Sequence, residues 1–315
     1  MSGADRAETR ALELRVVDFV RDASTEITTH DEPLLAKLRA LLGANTATYI
    51  AHTPKATVEQ VVRTAALVQA LGLEACPHVG ARRLRSRAEL DDVLKRMREG
   101  GVRRMLLVGG DLEWPAGPYA SALDVLETGA TVEHGIESIG VTGYPEGHPR
   151  VADAQLWDAL ARKQAFAERT GTRVHVVTQF GFDPDAITEW AREAERRGIG
   201  LPVHVGIAGP VPLPRLIKYA IHCGVEASAR ALGRNTGTLA SLAAAGIGAP
   251  TTTPGRMLVD VLRRRDTQPA RSIVHPHFFS LGGALETARW LRSIRRGAFE
   301  LVDGGARLVT RVEPD

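Results

Sequence analysis

Polar residues lie within or directly after several short apolar runs of this 315-residue chain, and their types suit acid–base chemistry. Glu26 lies within the first run, and Gly109-Gly110-Asp111 follows the run at 104–108. A carboxylate inside a buried strand needs a partner or a function, because burying it unpaired is costly. We therefore expect Glu26 to be functional. Gly109-Gly110-Asp111 is equally typical of a capped turn and of a close approach to a ligand.

Further candidates follow other apolar runs. Gln179 carries an amide that both donates to and accepts from the edge of a heterocycle. His78 and His148, each taken alone, are more typical of core and loop histidines. His275-Pro276-His277 has the His-x-His spacing of barrel zinc sites, but a metal site needs three or more ligands. We therefore predict no metal site.

These residues are positioned by apolar runs that alternate with amphipathic segments. Strands are predicted at 23–28, 46–51, 74–78, 104–108, 137–142, 173–179, 201–206 and 273–279. Helices are predicted at 32–42, 57–71, 86–97, 121–126, 152–169, 185–197, 213–223 and 283–294. Strict alternation predicts parallel strands joined by right-handed crossovers, and eight units in about 300 residues favour a closed (β/α)8 TIM barrel, an α/β fold. The alternative is a doubly wound open sheet, but no G-x-G-x-x-G follows any strand.

Segments outside the eight units predict short additions. An extra helix is expected at 4–19, further helices at 227–265, and a hairpin where Phe299–Val302 and Leu308–Val312 flank an Asp-Gly turn. We expect one barrel domain over 1–315, with its core at about 20–296 and a C-terminal extension at 297–315. The functional site of such a barrel lies at the carboxyl ends of its strands, where the candidate residues fall.

The composition excludes several classes of protein. A net charge of +3 and 44% hydrophobic residues argue against disorder, and Cys76 and Cys223 are too few for a disulfide scaffold. Two lone cysteines, neither with a recognisable histidine partner, favour a reducing, cytoplasmic location over nucleophilic catalysis. The sequence has no apolar run long enough for a membrane span, and its N-terminus does not resemble a signal peptide. The arginines are interleaved with acids, so nucleic acid is not an expected partner.

Three segments carry a resemblance to a known family. Gly143-Tyr144-Pro145-Glu146-Gly147-His148-Pro149 is similar to an Ala-Tyr-Pro-Glu-x-His-Pro motif. The segment 176–183 is similar to Ile-Thr-Gln-Phe-Phe-Phe-Asp, and 107–111 is followed by Tyr119-Ala120-Ser121. Supporting matches lie at 74–78, 198–202 and 277–281. With these motifs in order, the chain resembles the methylenetetrahydrofolate reductase family from Glu26 to Leu281.

The resemblance implies a flavin-containing barrel that reduces 5,10-methylenetetrahydrofolate to 5-methyltetrahydrofolate, with NAD(P)H reducing FAD first. Opening the five-membered ring of the substrate needs a general acid. Glu26 matches the family's acid, and Asp111 matches an aspartate that tunes the reaction electrostatically. The FAD-binding positions implied by the resemblance are His78, Gly110, Asp111, Tyr119, Thr142, Tyr144, His148 and Lys163. The folate-binding positions are Glu26, Gln179 and Phe279. A homo-oligomer is compatible with the terminal additions.

Departures from the family pattern keep other interpretations open. Gly109 stands where the family has an arginine, Leu156 where it has an aspartate, and Ile27-Thr28-Thr29-His30 where aromatic residues and prolines follow the acid. Because these changes fall mostly on the FAD site, one alternative is direct hydride transfer between NAD(P)H and folate. Another is a non-catalytic folate-binding barrel subunit. The divergence also leaves open oxidation of methyltetrahydrofolate as the working direction.

Overall fold

A closed ring of parallel strands forms the centre of the computed structural model, which describes residues 3–222, 251–252, 254–302 and 307–310. The strands are β1 Ser24–Ile27, β2 Ala47–Ile50, β3 Glu74–Gly80, β4 Arg104–Val108, β5 Ser138–Gly143, β6 Arg173–Thr178, β7 Val203–Ala208 and β10 Ile273–Phe279. Each strand pairs with the next in chain order, and β10 closes the ring against β1. This arrangement confirms the predicted (β/α)8 barrel.

Helices cover the outside of the ring. They are α1 Gly3–Val20, α2 Leu35–Leu42, α3 Val58–Ala70, α4 Arg87–Glu99, α5 Ala122–Glu127, α6 Ala130–Glu133, α7 Asp153–Thr170, α8 Pro184–Arg196, α9 Leu213–His222, α10 Gly255–Thr267 and α11 Ala284–Arg295. Side-chain caps mark where some of these helices begin. Thr57 and Gln60 form a reciprocal capping box at α3, and the Ser86 hydroxyl accepts from the N–H of Glu89 at α4. Two 3₁₀ turns, Thr29–Leu34 and Ala81–Arg83, follow β1 and β3.

The predicted additions are present where the structure describes them. Helix α1 precedes the barrel, and β11 Phe299–Val302 pairs antiparallel with β12 Arg307–Thr310 as the C-terminal hairpin. The hairpin turn lies outside the described residues, as does most of the stretch at 227–265, apart from α10 and the short strand β9 Thr251–Thr252. Strand β9 pairs with β8 Val211–Pro212. No helix in the described part of the chain is both long and apolar enough to cross a bilayer.

The strand boundaries agree with the prediction to within one residue, except in β3 and β7. Strand β7 starts at Val203 rather than 201, because Pro202 has no N–H to donate to the ladder. Strand β3 continues two residues past His78 to Gly80, and pairs there with Val108. The carboxyl end of β3, where site residues are expected, therefore lies at Gly80, and the residues that follow Gly80 become candidates.

The ring separates an apolar outer layer from a mixed interior. Outward-facing side chains of the strands pack with the helices in one large buried aliphatic cluster. Inside the ring a smaller cluster contains Tyr49, Cys76, Leu106 and Val177. Because strand side chains alternate, the register that places these four inside also places Glu26 inside, where it pairs with Tyr49 on β2.

Candidate active site at the carboxyl ends of the strands

Glu26 points into the barrel near the carboxyl end of β1, opposite His78 of β3. The His78 Nε2 atom lies 3.4 Å from Glu26 Oε2, and the two side chains are only 12% and 13% exposed. Their alignment is not that of a hydrogen bond, and Nε2 is buried without such a partner among the described residues. The structure thus brings together two of the predicted site residues.

Burial sets the protonation of this pair. Desolvation raises the pKa of Glu26 to about 8. Desolvation and, secondarily, the charge of His52 lower the pKa of His78 to about 3. At neutral pH the carboxyl is therefore protonated and the imidazole neutral, so the pair is not an ion pair. A carboxyl that still holds its proton at pH 7 is suited to general-acid chemistry.

Asp111 follows β4 and is held by an arginine that the sequence analysis did not single out. Arg83 donates from Nε to Oδ1 at 2.8 Å and from Nη2 to Oδ2 at 2.7 Å. This bidentate hydrogen bonding lowers the pKa of Asp111, so the carboxylate stays ionised. Gly110 has φ +96, and a Cβ there would lie 3.6 Å from the Gly80 Cα. The ends of β3 and β4 approach closely because neither glycine has a side chain.

Arg82 fixes the loop after β4. It donates from Nε to the carbonyl of Ala120 at 2.8 Å and from Nη1 to the carbonyl of Leu112 at 3.1 Å. Its guanidinium binds carbonyl oxygens rather than a carboxylate, so its positive charge is not neutralised by these bonds. That charge contributes to lowering the pKa of His148, after burial and Arg150.

The loop after β5 brings three predicted residues together. The rings of Tyr144 and His148 meet edge to face at a centroid distance of 4.8 Å, and Thr142 hydrogen-bonds the Tyr144 hydroxyl. Burial raises the pKa of Tyr144. His148 Nδ1 accepts the N–H of Arg150 at 3.1 Å, so the neutral ring carries its proton on Nε2. Gly147 donates its N–H to the Tyr144 carbonyl at 3.0 Å and closes the turn.

Lys163 of α7 is buried, with 7% of its surface exposed. Desolvation lowers its pKa to about 8. Among the described residues no carboxylate lies within ion-pair distance of its ammonium. A buried cation without a counter-charge is a candidate site for an anion. Tyr119, by contrast, packs in the outer core, where Arg87 and Asp91 of α4 influence its hydroxyl.

Gln179 and Phe279 meet across Gly206 of β7. A Cβ at Gly206 would lie 2.8 Å from Phe279 Cε2 and 3.0 Å from the Gln179 carbonyl carbon. The Gly206 N–H donates to the Thr178 hydroxyl at 2.8 Å, and the Gln179 N–H donates to the Gly143 carbonyl at 2.8 Å. These bonds fix the end of β6 between its neighbours. The two predicted folate-binding residues therefore share one side of the mouth.

Each histidine of the β10 pair has an oxygen atom within hydrogen-bond distance of its Nδ1 atom. His277 Nδ1 is hydrogen-bonded to the Ser24 hydroxyl at 2.8 Å, and His275 Nδ1 lies 3.2 Å from the Pro276 carbonyl. Within the described ranges, no group of three or more histidine, cysteine or acidic side chains is arranged to hold a metal ion.

Arg82, Arg83 and His52 surround the site, and the sequence analysis missed all three. His52 Nε2 lies 3.2 Å from the Ala56 carbonyl and 3.5 Å from Arg83 Nη1. Both arginines directly follow the end of β3 at Gly80, so the same position after a strand that points to Asp111 also points to them.

The fold and the site define a class of protein: a parallel (β/α)8 barrel that carries a protonated acid and an ionised carboxylate at the carboxyl ends of its strands. The family model for methylenetetrahydrofolate reductase matches residues 28–226. The chain belongs to the methylenetetrahydrofolate reductase family.

Two curated relatives agree with this membership. The chain is 27% identical over 144 residues to methylenetetrahydrofolate reductase 2 of Saccharomyces cerevisiae, covering 44% of this chain and 24% of the relative. It is 27% identical over 135 residues to methylenetetrahydrofolate reductase (NADH) 1 of Arabidopsis thaliana, covering 38% of this chain and 22% of the relative. The matched part therefore spans about a quarter of the length of these relatives.

Proposed function

We propose that this chain interconverts 5,10-methylenetetrahydrofolate and 5-methyltetrahydrofolate by hydride transfer, using NAD(P)H and FAD. The observation that carries the proposal is Glu26, a buried carboxyl whose pKa of about 8 keeps it protonated at neutral pH. Ring opening of the substrate to an iminium requires a proton at the leaving nitrogen, and such a carboxyl supplies it. Family membership supports the substrate class.

The other residues of the site have roles that follow from their charge. Asp111 remains ionised beside Arg83, so it offers only acceptor oxygens to N–H groups of a bound heterocycle. Gln179 and Phe279 form one wall, in which the amide hydrogen-bonds a planar ring and the phenyl group packs on it. Closing this mouth with ligand excludes water and strengthens these interactions.

Two cations and an open strand end support the binding of a flavin dinucleotide. Lys163 is buried without a carboxylate partner among the described residues, Arg82 has an uncompensated charge, and a diphosphate would bind such cations. A Cβ at Gly109 would meet nothing within 4 Å, so the end of β4 leaves open space for a flat ring. His78, Tyr144 and His148 would line the same face. When bound, FAD would accept a hydride from NAD(P)H and pass it to the folate.

Direct hydride transfer from NAD(P)H to folate is the second candidate, since Gly109 replaces the family's arginine at the end of β4. A third, a non-catalytic folate-binding barrel, is disfavoured because a binder has no need of a protonated Glu26.

The test is folate-dependent oxidation of NADH and NADPH by the purified protein, with and without added FAD. Flavin-dependent turnover that is lost in Glu26→Gln supports the proposal. Turnover without flavin favours direct transfer, and binding of methyltetrahydrofolate without any turnover favours the binding subunit.

A further inference from the structure

The guanidinium of Arg83 lies among the ends of three neighbouring strands. His52 follows β2, Arg83 ends the 3₁₀ turn after β3, and Asp111 follows β4. The aliphatic stem of Arg83 passes beside Gly80, 3.6 Å from where a Cβ would stand, and its guanidinium reaches across to the Asp111 carboxylate. Only 18% of the arginine side chain is exposed, whereas 41% of the Asp111 side chain is. The pair is therefore held in place and remains open to a ligand at the carboxyl end of the barrel.

Arg83 uses only part of its hydrogen-bonding capacity within the described part of the chain. A guanidinium has five N–H donors, and Nε and Nη2 each donate one to Asp111. The Nη1 atom lies 3.5 Å from His52 Nε2. That nitrogen also lies 3.2 Å from the Ala56 carbonyl, which can only accept, so it carries a proton and has no lone pair for Arg83. The donors on Nη1 are therefore left without an acceptor among the described residues.

The pair presents a fixed donor beside a fixed acceptor. Asp111 is ionised, and each of its oxygens keeps a lone pair after accepting from Arg83. Burial and the charge of Arg83 lower the pKa of His52, so this neighbour is neutral at pH 7. Arginine itself does not lose its proton in proteins. The order of donor and acceptor is therefore the same throughout the neutral pH range.

A ligand that matches this pattern has a carbonyl oxygen next to a ring N–H. The pterin ring of a folate has such an edge, because its C4 carries an oxygen and the adjacent N3 carries a hydrogen. The 4-amino analogue of the same folate reverses the edge, since its C4 amino group donates and its N3 only accepts. A reversed edge would set donor against donor at Arg83 and acceptor against acceptor at Asp111, which disfavours binding.

We propose that Arg83 makes the site specific for a 4-oxo pterin, by donating to the C4 carbonyl oxygen while Asp111 accepts the hydrogen of N3. The inference rests on the proposed function, because it names the edge of the folate that the site binds. Space for the ring is open beside the pair, since a Cβ at Gly109 would meet nothing within 4 Å. Gly109 also stands where the family has an arginine, and Arg83 brings a cation to the same strand end from β3.

The experiment compares the binding of 5-methyltetrahydrofolate and of its 4-amino analogue by titration calorimetry. We expect the wild-type protein to bind the 4-oxo ligand at least about tenfold more tightly, and Arg83→Met to lose most of this preference. The matched control is Arg85→Met, which removes an exposed arginine paired with Glu89 and leaves both affinities unchanged.

A second comparison separates contact with the ligand from an effect through Asp111. In an Asp111→Ala protein the carboxylate is absent, so Arg83 has nothing left to position there. We expect the added change Arg83→Met still to lower the remaining preference for the 4-oxo ligand. No further change in that protein would mean that Arg83 acts only by holding Asp111, and would overturn the proposal.

Arg83→Lys keeps the test decisive if Arg83→Met fails to fold, because it retains a positive charge beside Asp111. A lysine lacks the planar fork that bonds the carboxylate and a ligand at once, so we expect the same loss of preference. Equal wild-type affinities for the two ligands overturn the proposal, as does an unchanged preference in a folded Arg83 variant, even one with altered affinity for FAD. A wild-type protein that binds neither ligand overturns the proposed function, whereas one that binds both alike overturns this inference alone.

Discussion

Replacing Glu26 by glutamine should abolish folate reduction and at the same time make the protein more stable. The folded state holds the pKa of this carboxyl at about 8, whereas an unfolded chain has the ordinary value of 4.5. A carboxyl with a raised pKa stabilises the fold fully below pH 4.5, and this contribution is lost as the pH rises from 4.5 to 8. Glutamine has the same shape but does not ionise in either state.

The size of the effect follows from the two pKa values. Each unit of difference between the two pKa values corresponds to about 1.4 kcal/mol. The free energy of unfolding of the wild-type protein has therefore fallen by about 3 kcal/mol at pH 7 and by less than about 1 kcal/mol at pH 5, relative to low pH. Glu26→Gln should therefore raise the free energy of unfolding by about 2–3 kcal/mol more at pH 7 than at pH 5. The other titrating groups are common to both proteins and cancel in this comparison.

Urea unfolding of both proteins at pH 5 and pH 7 measures this difference, provided that the denaturant dependence of the two is the same. Glu13→Gln, at a surface ion pair with Arg10, is the matched control and should change the free energy of unfolding by less than about 1 kcal/mol. Equal changes for Glu26→Gln at both pH values, or a variant less stable than wild type at pH 7, would refute the raised pKa and with it the assignment of Glu26 as a protonated acid.

Three further outcomes follow from the same structure. The rate of folate reduction should fall about tenfold per pH unit above pH 8 as Glu26 loses its proton, which a pH–rate profile measures. Arg295 donates four hydrogen bonds that tie the ends of α1 and α2 to the residues just before β1 and β2. Arg295→Leu should therefore lower the free energy of unfolding by about 2–4 kcal/mol, whereas Arg289→Leu at an exposed position should have little effect. Gly206→Ala would force a Cβ into the backbone of β6, so it should lower the free energy of unfolding by about 1–3 kcal/mol and weaken folate binding. The control Gly200→Ala places a Cβ where nothing lies within 4 Å and should change both little, as measured by thermal unfolding and ligand titration.

The barrel was predictable because its signals are local and repeated. Apolar runs alternate with amphipathic helices, and caps such as the Thr57 box mark where helices begin. Glu26 was also predictable, because a carboxylate within a run buried on both faces has few structural explanations. Such reasoning depends on spacing within one segment, which a sequence displays directly.

The partners of these residues were not predictable from spacing. Arg83 and Asp111 are 28 positions apart, and they meet only because glycines let the ends of β3 and β4 approach. The contacts of Tyr49 with His175 and of Ser24 with His277 join residues 126 and 253 positions apart. These contacts depend on which side chains face inward in each strand, and a shift of one residue in a predicted strand reverses that orientation.

The most direct test of the account is the reoxidation of reduced flavin by 5,10-methylenetetrahydrofolate in a single turnover. The protein is loaded with FAD, reduced with NADH without oxygen, and mixed with the folate while the flavin absorbance is followed. We predict that the oxidised flavin band returns in the wild-type protein and does not return in Glu26→Gln. A wild-type protein that binds FAD and folate but leaves the flavin reduced would contradict it.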